Sequence, residues 1–371
     1  MGKILIRVLH VLGGLNRGGA ETMVMNLYKE IDKTKIQFDF ITHSNTNDDY
    51  VEDIKNLGGK IYVFPKFKGY NIISYRKSWR KFFNTHPEYK ILHSHLRSYA
   101  SIYIPIAESF GLKTIIHSHS TSNGKGIKSL VKNFLQIPLA KQADYLFSCS
   151  TEAGKWLFGD ESINKDNYFL LKNSINVDDY KYNIEIRNSY RKYLNLDNKI
   201  VCCHVGRLSE PKNHMFLLEV FKKLLAKQNN FVLLIIGEGN LRKEIEDKIK
   251  ELNLQNKVIM MGSRDDVPNI LQAADLFLFP SLWEGLPVSV VEAQAAGLPC
   301  LVSNKVTNEV DLTPNLKYLS IDNGVDIWVN EALNIDKTRN KKSADIVIEA
   351  GYDIVSSAKW LSDFYRGIVN D

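Results

Sequence analysis

Cysteine is scarce in this sequence, with four residues among 371. The four stand singly or adjacent in apolar runs, without the spacing of a metal site or a disulfide framework: Cys149, Cys202, Cys203 and Cys300. No apolar run reaches the length that spans a bilayer. The apolar start, residues 3–12, is interrupted by Arg7 and lacks a small-residue cleavage site, so it predicts a first strand rather than a secretory signal. We therefore expect reduced core thiols and a cytoplasmic protein.

Three ligand-binding signatures are also missing. There is no G-K-[ST] phosphate loop, and the glycine-rich turn near the start does not fit the G-x-G-x-x-G dinucleotide spacing. There is also no D-x-D, the kind of carboxylate pair with which a protein holds a divalent ion beside a substrate diphosphate. We expect no cofactor and no metal requirement, so that protein cations and a helix N-terminus neutralise any substrate phosphate.

The composition is that of an ordinary globular protein, with 44% apolar and 24% charged residues, and the length suggests two domains. The net charge of +6 is unevenly placed, because lysine and arginine concentrate in residues 66–90 and 125–141. Residues 76–83 mix these cations with large aromatic side chains at helical spacing. Two interpretations stay open: a surface for anionic lipid, or a helix with its aromatic face in the core. No basic–aromatic module typical of nucleic-acid binding is present.

Strand-like apolar runs alternate with amphipathic helices along the chain. In the first half we predict strands at 3–9, 37–42, 60–64, 90–94, 113–117 and 144–148. A second series runs from strand 199–204 to strand 299–302, and a helix-like segment at 352–369 ends the chain. The polar stretch 166–198 breaks the rhythm and is interpreted as a domain connection.

This rhythm predicts an α/β protein of two doubly wound, Rossmann-like domains facing each other across a cleft. We place the first domain at residues 1–175, joined by the C-terminal helix at about 352–371, and the second at 176–351. Ligands of such sheets bind at the carboxyl ends of the strands.

Several strand ends carry candidate ligand groups. The turn 13–21 contains Gly14, Gly18 and Gly19, which allow a ligand to approach the backbone closely, although a tightly packed turn would use glycines as well. Two histidine runs follow, 93–95 and 117–119. Histidines two apart on a strand share a face and could ligate zinc, but we see no third ligand elsewhere and expect a substrate contact or structural hydrogen bonds instead.

The second domain offers two further strand-end elements. Gly206 and Arg207 follow a strand, and Lys212 follows at the start of the next helix, so that both cations could meet one phosphate. Glu284 and Glu292 flank a turn and a helix start, where Pro287 suits the first turn and the amides of Val288 and Ser289 would face an anion. Taken alone, the two acids could equally be a helix cap and a solvated surface residue. Gly237 and Arg264 lie at two more strand-end turns that could enclose a base.

Together these stretches resemble the retaining GT-B glycosyltransferases of family 4, in the branch that builds bacterial capsular and exopolysaccharides. The resemblance covers nearly the whole chain and is carried by residues 13–21, 117–119, 173–175, 205–208 with Lys212, and 284–299. One departure is Ser174, where the family usually has glycine.

The resemblance implies a role for each matching residue. Arg207 and Lys212 would hold the donor diphosphate, Glu284 the hydroxyls of the transferred sugar, and Glu292 the ribose. His119 would lie near the reacting sugar, with His117 and His95 as further contacts. The remaining donor-binding candidates are Gly14, Gly18, Gly19, Gly206, Gly237, Arg264, Leu286, Val288 and Ser289.

The implied function is transfer of a sugar from a nucleotide sugar, UDP-linked by expectation, to a saccharide or lipid-linked acceptor. We expect a cytoplasmic enzyme, peripheral at the inner face of the membrane if residues 76–83 touch lipid. Two alternatives remain: a nucleotide-sugar epimerase of the same architecture, which would need no acceptor, and an inactive transferase-like partner subunit.

Overall fold

The computed structural model describes residues 5–44, 48–120 and 127–370. The chain divides into two units. The N-terminal unit comprises the chain up to Ser174 together with the segment from Ile354 onward, and the C-terminal unit comprises Ile175–Asp353. Among the described residues, no helix combines the length and apolar character that a bilayer crossing requires.

The N-terminal unit is built on one parallel sheet. Its strands are β1 (Ile6–Leu12), β2 (Ile36–Thr42), β3 (Ile61–Val63), β4 (Ile91–Ser94), β5 (Lys113–Ser118), β6 (Tyr145–Ser148) and β7 (Tyr168–Leu170), in the order β3-β2-β1-β4-β5-β6-β7. The helices between them are α1 (Gly19–Glu30), α2 (Val51–Asn56), α3 (Ile72–Thr85), α4 (Ala100–Ser109), α5 (Ile127–Gln136), α6 (Leu139–Gln142) and α7 (Thr151–Phe158). The strands are largely buried and mostly apolar because helices cover both faces of the sheet.

The C-terminal unit repeats this design. Its parallel strands are β8 (Ile200–Val205), β9 (Phe231–Ile236), β10 (Val258–Gly262), β11 (Leu276–Phe279), β12 (Cys300–Ser303) and β13 (Leu316–Leu319), in the order β10-β9-β8-β11-β12-β13. Its helices are α8 (Val177–Tyr180), α9 (Ile184–Tyr193), α10 (His214–Lys227), α11 (Arg242–Glu251), α12 (Val267–Ala273), α13 (Val288–Ala295), α14 (Val325–Asn334) and α15 (Ser343–Glu349). In both sheets the strand order reverses once, between β1 and β4 and between β8 and β11, and such switch points are where ligands of doubly wound sheets bind.

The last helix, α16 (Ile354–Asn370), belongs to the N-terminal unit, as predicted. Its apolar residues recur at helical spacing and join the core beneath β1 and β2: Ile354, Ala358, Leu361, Tyr365 and Ile368. These contacts place the last helix of the chain on the sheet that contains its first strand.

The boundary between the two units lies within residues 166–198, between Ser174 and Ile175, and the stretch also forms regular structure. This stretch contains β7, α8 and α9. Helix α9 buries none of its own side chains, and charge anchors it instead: Arg187 and Arg191 both pair with Asp275, and their guanidinium groups also bind carbonyl oxygens at the end of α12. A search for apolar periodicity therefore overlooks this helix.

The aromatic residues of the 76–83 stretch lie in the core. Helix α3 buries Tyr75, Trp79, Phe82 and Phe83, while the cations Arg76, Lys77, Arg80 and Lys81 are exposed. Of the two interpretations left open by the sequence, the core-facing one describes these aromatic side chains.

Candidate active site

The switch point of the C-terminal unit is formed by two neighbouring strand-end loops. One loop leads from β8 to α10, and the other leads from β11 to α13. Two backbone-directed hydrogen bonds join the loops: the Leu282 amide donates to the Pro211 carbonyl at 2.8 Å, and Asn213 Nδ2 donates to the Pro280 carbonyl at 3.1 Å. Asn213 sits in the left-handed region, with φ 54°, between a short 3-10 turn (Glu210–Lys212) and α10. The sequence predicted a helix start near residue 211. Because of this turn, α10 begins at His214 instead.

These loops bring Lys212 and Glu284 into direct contact. Lys212 Nζ lies 2.7 Å from Glu284 Oε1, and the two side chains are only 14% and 18% exposed. The ammonium also lies 4.6 Å from the centroid of the Phe279 ring, at the end of β11. The sequence predicted both residues in one site, but with different parts of a substrate as their partners. In this contact the ammonium and the carboxylate neutralise each other.

Glycines allow the Lys212 side chain and the neighbouring turn to fit. A Cβ on Gly206 would lie 3.0 Å from Lys212 Cε, and a Cβ on Gly237 would lie 2.0 Å from the Gly206 carbonyl oxygen. Gly237 also has φ +137°, which side-chain-bearing residues rarely adopt. Gly206 thus leaves room for the Lys212 side chain, and Gly237 leaves room for the backbone of the turn after β8; donor binding by both stays a prediction. Arg207, in the same turn, is exposed.

Two buried histidines flank Lys212 without adding charge. His204 Nδ1 is 2.8 Å from the Leu278 carbonyl, and the His214 ring stands edge-on to His204 with centroids 4.8 Å apart. Burial lowers the pKa of His204 well below its ordinary value and that of His214 to about 4. Both are neutral near pH 7, so lysine and arginine supply the positive charge of this site.

The second loop continues into the start of α13. Pro287 precedes its first residue, and within the described part of the chain the amides of Val288 and Ser289 have no hydrogen-bond acceptor. Leu286 is half-buried and packs on the core. The helix start thus presents free N–H groups in the same loop as Glu284, as the sequence predicted.

Glu292 lies one turn further along α13. Tyr180, on α8, donates its hydroxyl proton to Glu292 Oε1 at 2.8 Å. Burial raises the pKa of Glu292, while the bond from Tyr180 acts in the opposite direction. Tyr180 is a site residue that the sequence did not reveal, because nothing local connects residues 112 positions apart.

Arg264 is occupied by its own chain. Its Nε and Nη2 donate to both oxygens of Asp266, at 2.7 and 2.6 Å, and Asp266 also accepts from Tyr190. The hydrogen bonds from Arg264 hold the pKa of Asp266 below its ordinary value. Arg264, predicted from its strand-end turn to help enclose a base, is thus engaged with Asp266 at the start of α12.

In the N-terminal unit, carboxylates hold the glycine-rich turn. The amide of Leu15 donates to Asp48 Oδ2 at 2.6 Å, and the amide of Arg17 donates to Asp49 Oδ2 at 3.0 Å. A Cβ on Gly14 would be 3.5 Å from Asp48, and one on Gly18 would be 2.3 Å from Glu21 Oε2, whereas Gly19 has nothing within 4 Å. These amides are already paired, and donor binding by Gly14, Gly18 and Gly19 stays a prediction.

The switch point of the N-terminal unit carries a histidine cluster, defined here as His10, His93, His95, His117 and His119. His10 on β1 is the register partner of His93 on β4, and the other members follow at alternate positions on β4, β5 and just beyond them, so all share one face of the sheet. The sequence singled out the two histidine runs but missed His10. His10 joins the cluster only because β1 lies beside β4, a pairing that the local sequence does not show.

Three hydrogen bonds run through the cluster. His10 Nδ1 is 3.0 Å from His95 Nε2, His95 Nδ1 is 2.8 Å from His119 Nε2, and His93 Nδ1 is 2.6 Å from the Tyr365 hydroxyl of α16. Burial lowers every pKa in the cluster, those of His10 and His119 to about 3. All five imidazoles are therefore neutral near pH 7.

The expectation that the histidine runs find no third ligand is wrong. One nitrogen of each of His95, His117 and His119 lies within 4.8 Å of the others, and the same holds for His10, His93 and His95. The strand order is the reason, because it places β1, β4 and β5 side by side.

Two family models match this chain, one over each half. The model for glycosyltransferase family 4 matches residues 17–179, and the model for group 1 glycosyl transferases matches residues 186–335. A putative glycosyltransferase of Bacillus subtilis, EpsF, is 32% identical over 97% of this chain and 96% of its own. The chain belongs to the family 4 glycosyltransferases.

Two further relatives give this assignment its context. The UDP-Gal:alpha-D-GlcNAc-diphosphoundecaprenol alpha-1,3-galactosyltransferase of Escherichia coli is 29% identical over 76% of each chain. Anabaena HepE, whose crystal structure holds UDP, superposes with a TM-score of 0.77 at 17% identity, over 98% of this glycosyltransferase and all of HepE. The GT-B fold of two Rossmann-like domains is thus the fold of this chain, as predicted.

Proposed function

We propose that this glycosyltransferase transfers a sugar from a UDP-linked donor to a saccharide or lipid-linked saccharide acceptor in cell-surface polysaccharide synthesis. The observation that carries the proposal is the Lys212–Glu284 contact at the switch point of the C-terminal unit, in loops that also present the free amides of α13. A cation and a helix N-terminus suit a diphosphate, whereas a carboxylate suits sugar hydroxyls. The UDP bound to HepE and the lipid-linked acceptor in the name of the Escherichia coli relative support the two substrate classes.

In this proposal the site residues bind different parts of the donor. Lys212 and Arg207, with the amides of Val288 and Ser289, take the diphosphate, and Lys212 keeps its contact to Glu284. Glu284 then accepts hydrogen bonds from the transferred sugar through the rest of its carboxylate. Glu292 and its partner Tyr180 take the ribose hydroxyls.

Transfer proceeds with retention of configuration, by attack on the face from which the diphosphate departs. A new bond forms between the acceptor oxygen and the anomeric carbon, the bond from that carbon to the diphosphate oxygen breaks, and the hydroxyl proton passes to the diphosphate. Burial lowers the pKa of His119 to about 3, so the ring is neutral and only a weak base near pH 7. Its Nε2 bonds His95 and its Nδ1 is buried, so a contact to the sugar requires the ring to turn. Catalysis then rests on positioning and on charge stabilisation of the leaving group.

The direct test is turnover on a panel of UDP-glucose, UDP-galactose, UDP-N-acetylglucosamine and GDP-mannose. Arg207→Ala and Lys212→Ala should each lower turnover by ~10²–10³, because each removes charge from the developing diphosphate. Lys223→Ala is the matched control, since Lys223 is an exposed lysine of the same unit paired with Asp326. Near-normal turnover in both site variants, or a new isomer of the donor formed without an acceptor, would contradict the proposal.

The diphosphate is neutralised without a divalent metal. Protein groups already supply a lysine, an arginine and a helix start, and the sequence has no D-x-D. Turnover should therefore survive chelation by EDTA. Loss of activity on chelation, restored by magnesium or manganese, would overturn this part.

We also propose that the N-terminal unit rests on an anionic membrane at the cytoplasmic face. The apolar contact would come from side chains outside the buried aromatic face of α3. Tyr70 and Ile73 are 83% and 82% exposed at the start of α3, and Leu130, Phe134 and Ile137 are exposed on and after α5. Both helices pack against α4, and α3 adds four exposed cations, Arg76, Lys77, Arg80 and Lys81.

Co-sedimentation with vesicles tests this surface. Binding should require phosphatidylglycerol in a phosphatidylcholine vesicle, weaken with salt, and fall in Ile73→Ser and Phe134→Ser. Ile184→Ser is the matched control, because Ile184 is an exposed isoleucine of the C-terminal unit. Equal sedimentation with neutral and anionic vesicles, or equal loss in the control, would contradict the membrane surface.

A further inference from the structure

The histidine cluster leaves five buried ring nitrogens without a hydrogen-bond partner in the part of the chain that the structure describes. They are Nε2 of His10, Nε2 of His93, Nδ1 of His119, and both nitrogens of His117. A neutral imidazole carries one N–H donor and one acceptor nitrogen. His117 is only 1% exposed, so bulk solvent does not reach these two nitrogens. Buried polar groups in native proteins are normally paired, so a group of unpaired ring nitrogens is suited to hold a water, a ligand or an ion.

We propose that His95, His117 and His119 form a binding site for a transition-metal ion of the zinc class. One ring nitrogen of each lies within 4.8 Å of the other two. His95 Nδ1 and His119 Nε2 are 2.8 Å apart, and tetrahedral coordination at Zn–N bonds of ~2.05 Å needs a separation of roughly 3.3 Å. The ion would replace the proton that these two nitrogens share, after a small opening of the pair. The ring of His117 lies 4.0 Å from that of His119, centroid to centroid.

The donor set selects the kind of ion. Three neutral imidazoles without a carboxylate suit zinc, cobalt, nickel or copper, whereas magnesium and calcium prefer oxygen ligands. Three protein ligands also leave one position open, as in zinc sites that bind water or substrate. The three histidines belong to the N-terminal unit, whereas Lys212 and Glu284 belong to the C-terminal unit, so the two proposals rest on different residues.

Neighbouring groups both support and oppose the ion. His10 binds the other nitrogen of His95 at 3.0 Å and thereby orients that ligand. Arg97, stacked at 4.9 Å on Trp156, is the opposing group, because its positive charge also acts on His119. We therefore expect a micromolar rather than nanomolar dissociation constant.

The alternative set, His10, His93 and His95, is the weaker candidate. Two of its members lie within strands, and His93 Nδ1 already bonds Tyr365. In the chosen set, His117 has both nitrogens unpaired within the described residues, and His119 follows the end of β5. The two sets share His95 and cannot both be filled.

The test uses the full chain without a histidine tag, treated with a chelator and then dialysed. Cobalt is titrated with visible absorption as the readout, and bound zinc is counted by plasma mass spectrometry. We expect one equivalent of metal and the intense visible bands of tetrahedral cobalt. His117→Phe should weaken binding by at least ~100-fold, because it removes a direct ligand.

His214→Phe is the matched control. Among the described residues, His214 is also buried with both ring nitrogens unpaired but belongs to no group of three possible metal ligands, so this variant should bind cobalt like the parent. If His117→Phe does not fold, as judged by circular dichroism, His119→Ala at the strand end replaces it. Absence of stoichiometric metal in the parent, or equal binding in the parent and in a folded cluster variant, would overturn the site and leave only a hydrogen-bonded histidine chain. No sugar donor takes part in this experiment, so its outcome is independent of the proposed transfer reaction.

Discussion

The two units of this glycosyltransferase share a strand order but furnish their switch points with opposite chemistry. In the N-terminal unit, neutral imidazoles line the sheet at β1, β4 and β5. In the C-terminal unit, a lysine and a glutamate meet between β8 and β11, and the neighbouring histidines stay uncharged. The fold fixes where a ligand site can form, and the side chains at the strand ends decide what it can hold.

The largest difference between the two units should appear in acid, which should lower the stability of the N-terminal unit more than that of the C-terminal unit. The pKa values of the cluster lie below the ordinary value of about 6.5 in the folded state, so the unfolded chain binds more protons below that pH. Stability is therefore complete above about pH 6.5 and declines as the pH falls, by up to ~1.4 kcal/mol per pH unit for each such histidine.

Hydrogen exchange read by mass spectrometry can follow each unit separately in chelator-treated protein. The N-terminal unit holds the five buried, neutral histidines of the cluster, whereas the C-terminal unit holds two, His204 and His214. Because more histidines must take up protons in the N-terminal unit, its peptides should lose protection first between pH 6.5 and 4.5. Equal loss in both units would show that the cluster is not buried and neutral as described.

Glycine substitutions should affect stability differently in the loops of the two units. Gly237→Ala should destabilise the protein by about 2 kcal/mol or more, because its Cβ would meet the Gly206 carbonyl and its φ is +137°. Gly19→Ala should be close to neutral, because nothing lies within 4 Å of that Cβ. Urea unfolding of both variants gives the two values. A neutral Gly237→Ala would mean that the turns after β8 and β9 do not pack as closely as the structure shows.

The smallest effect is expected at Glu292. Tyr180→Phe removes one hydrogen bond to this carboxylate, and we expect UDP affinity to fall roughly 3- to 10-fold, about 1 kcal/mol, because Glu292 loses its orientation. Calorimetric titration with UDP measures it, with Tyr193→Phe, an exposed tyrosine of the same unit, as control. An unchanged affinity would separate Tyr180 from the ribose site.

Local patterns in the sequence predicted much of this architecture. The apolar runs of β8, β9 and β11, the apolar stripe of α16 and the helix start at Pro287 are all local signals. Helix α9 was missed because two arginines bind it to Asp275, which lies far along the chain. Strand β13 and helices α14 and α15 also carried too little local signal to be predicted in a polar stretch.

The site was predictable as a set of residues but not as a set of contacts. Lys212 and Glu284 were both chosen from the sequence, yet their pairing depends on the loops joined by Asn213 and Leu282. The fifth histidine, His10, becomes visible only once β1 is placed beside β4. Contacts between distant segments follow from strand order, which local periodicity does not contain.

The central claim is that the charged site of the C-terminal unit, rather than the histidine cluster, binds the donor nucleotide. Calorimetric titration of UDP into the parent, Lys212→Ala and His119→Ala tests it most directly. The account predicts that UDP affinity falls by ~10-fold or more in Lys212→Ala, which loses a charge-assisted contact to the diphosphate, and stays at the parent value in His119→Ala. Parent-like affinity in Lys212→Ala, with loss in His119→Ala, would contradict it.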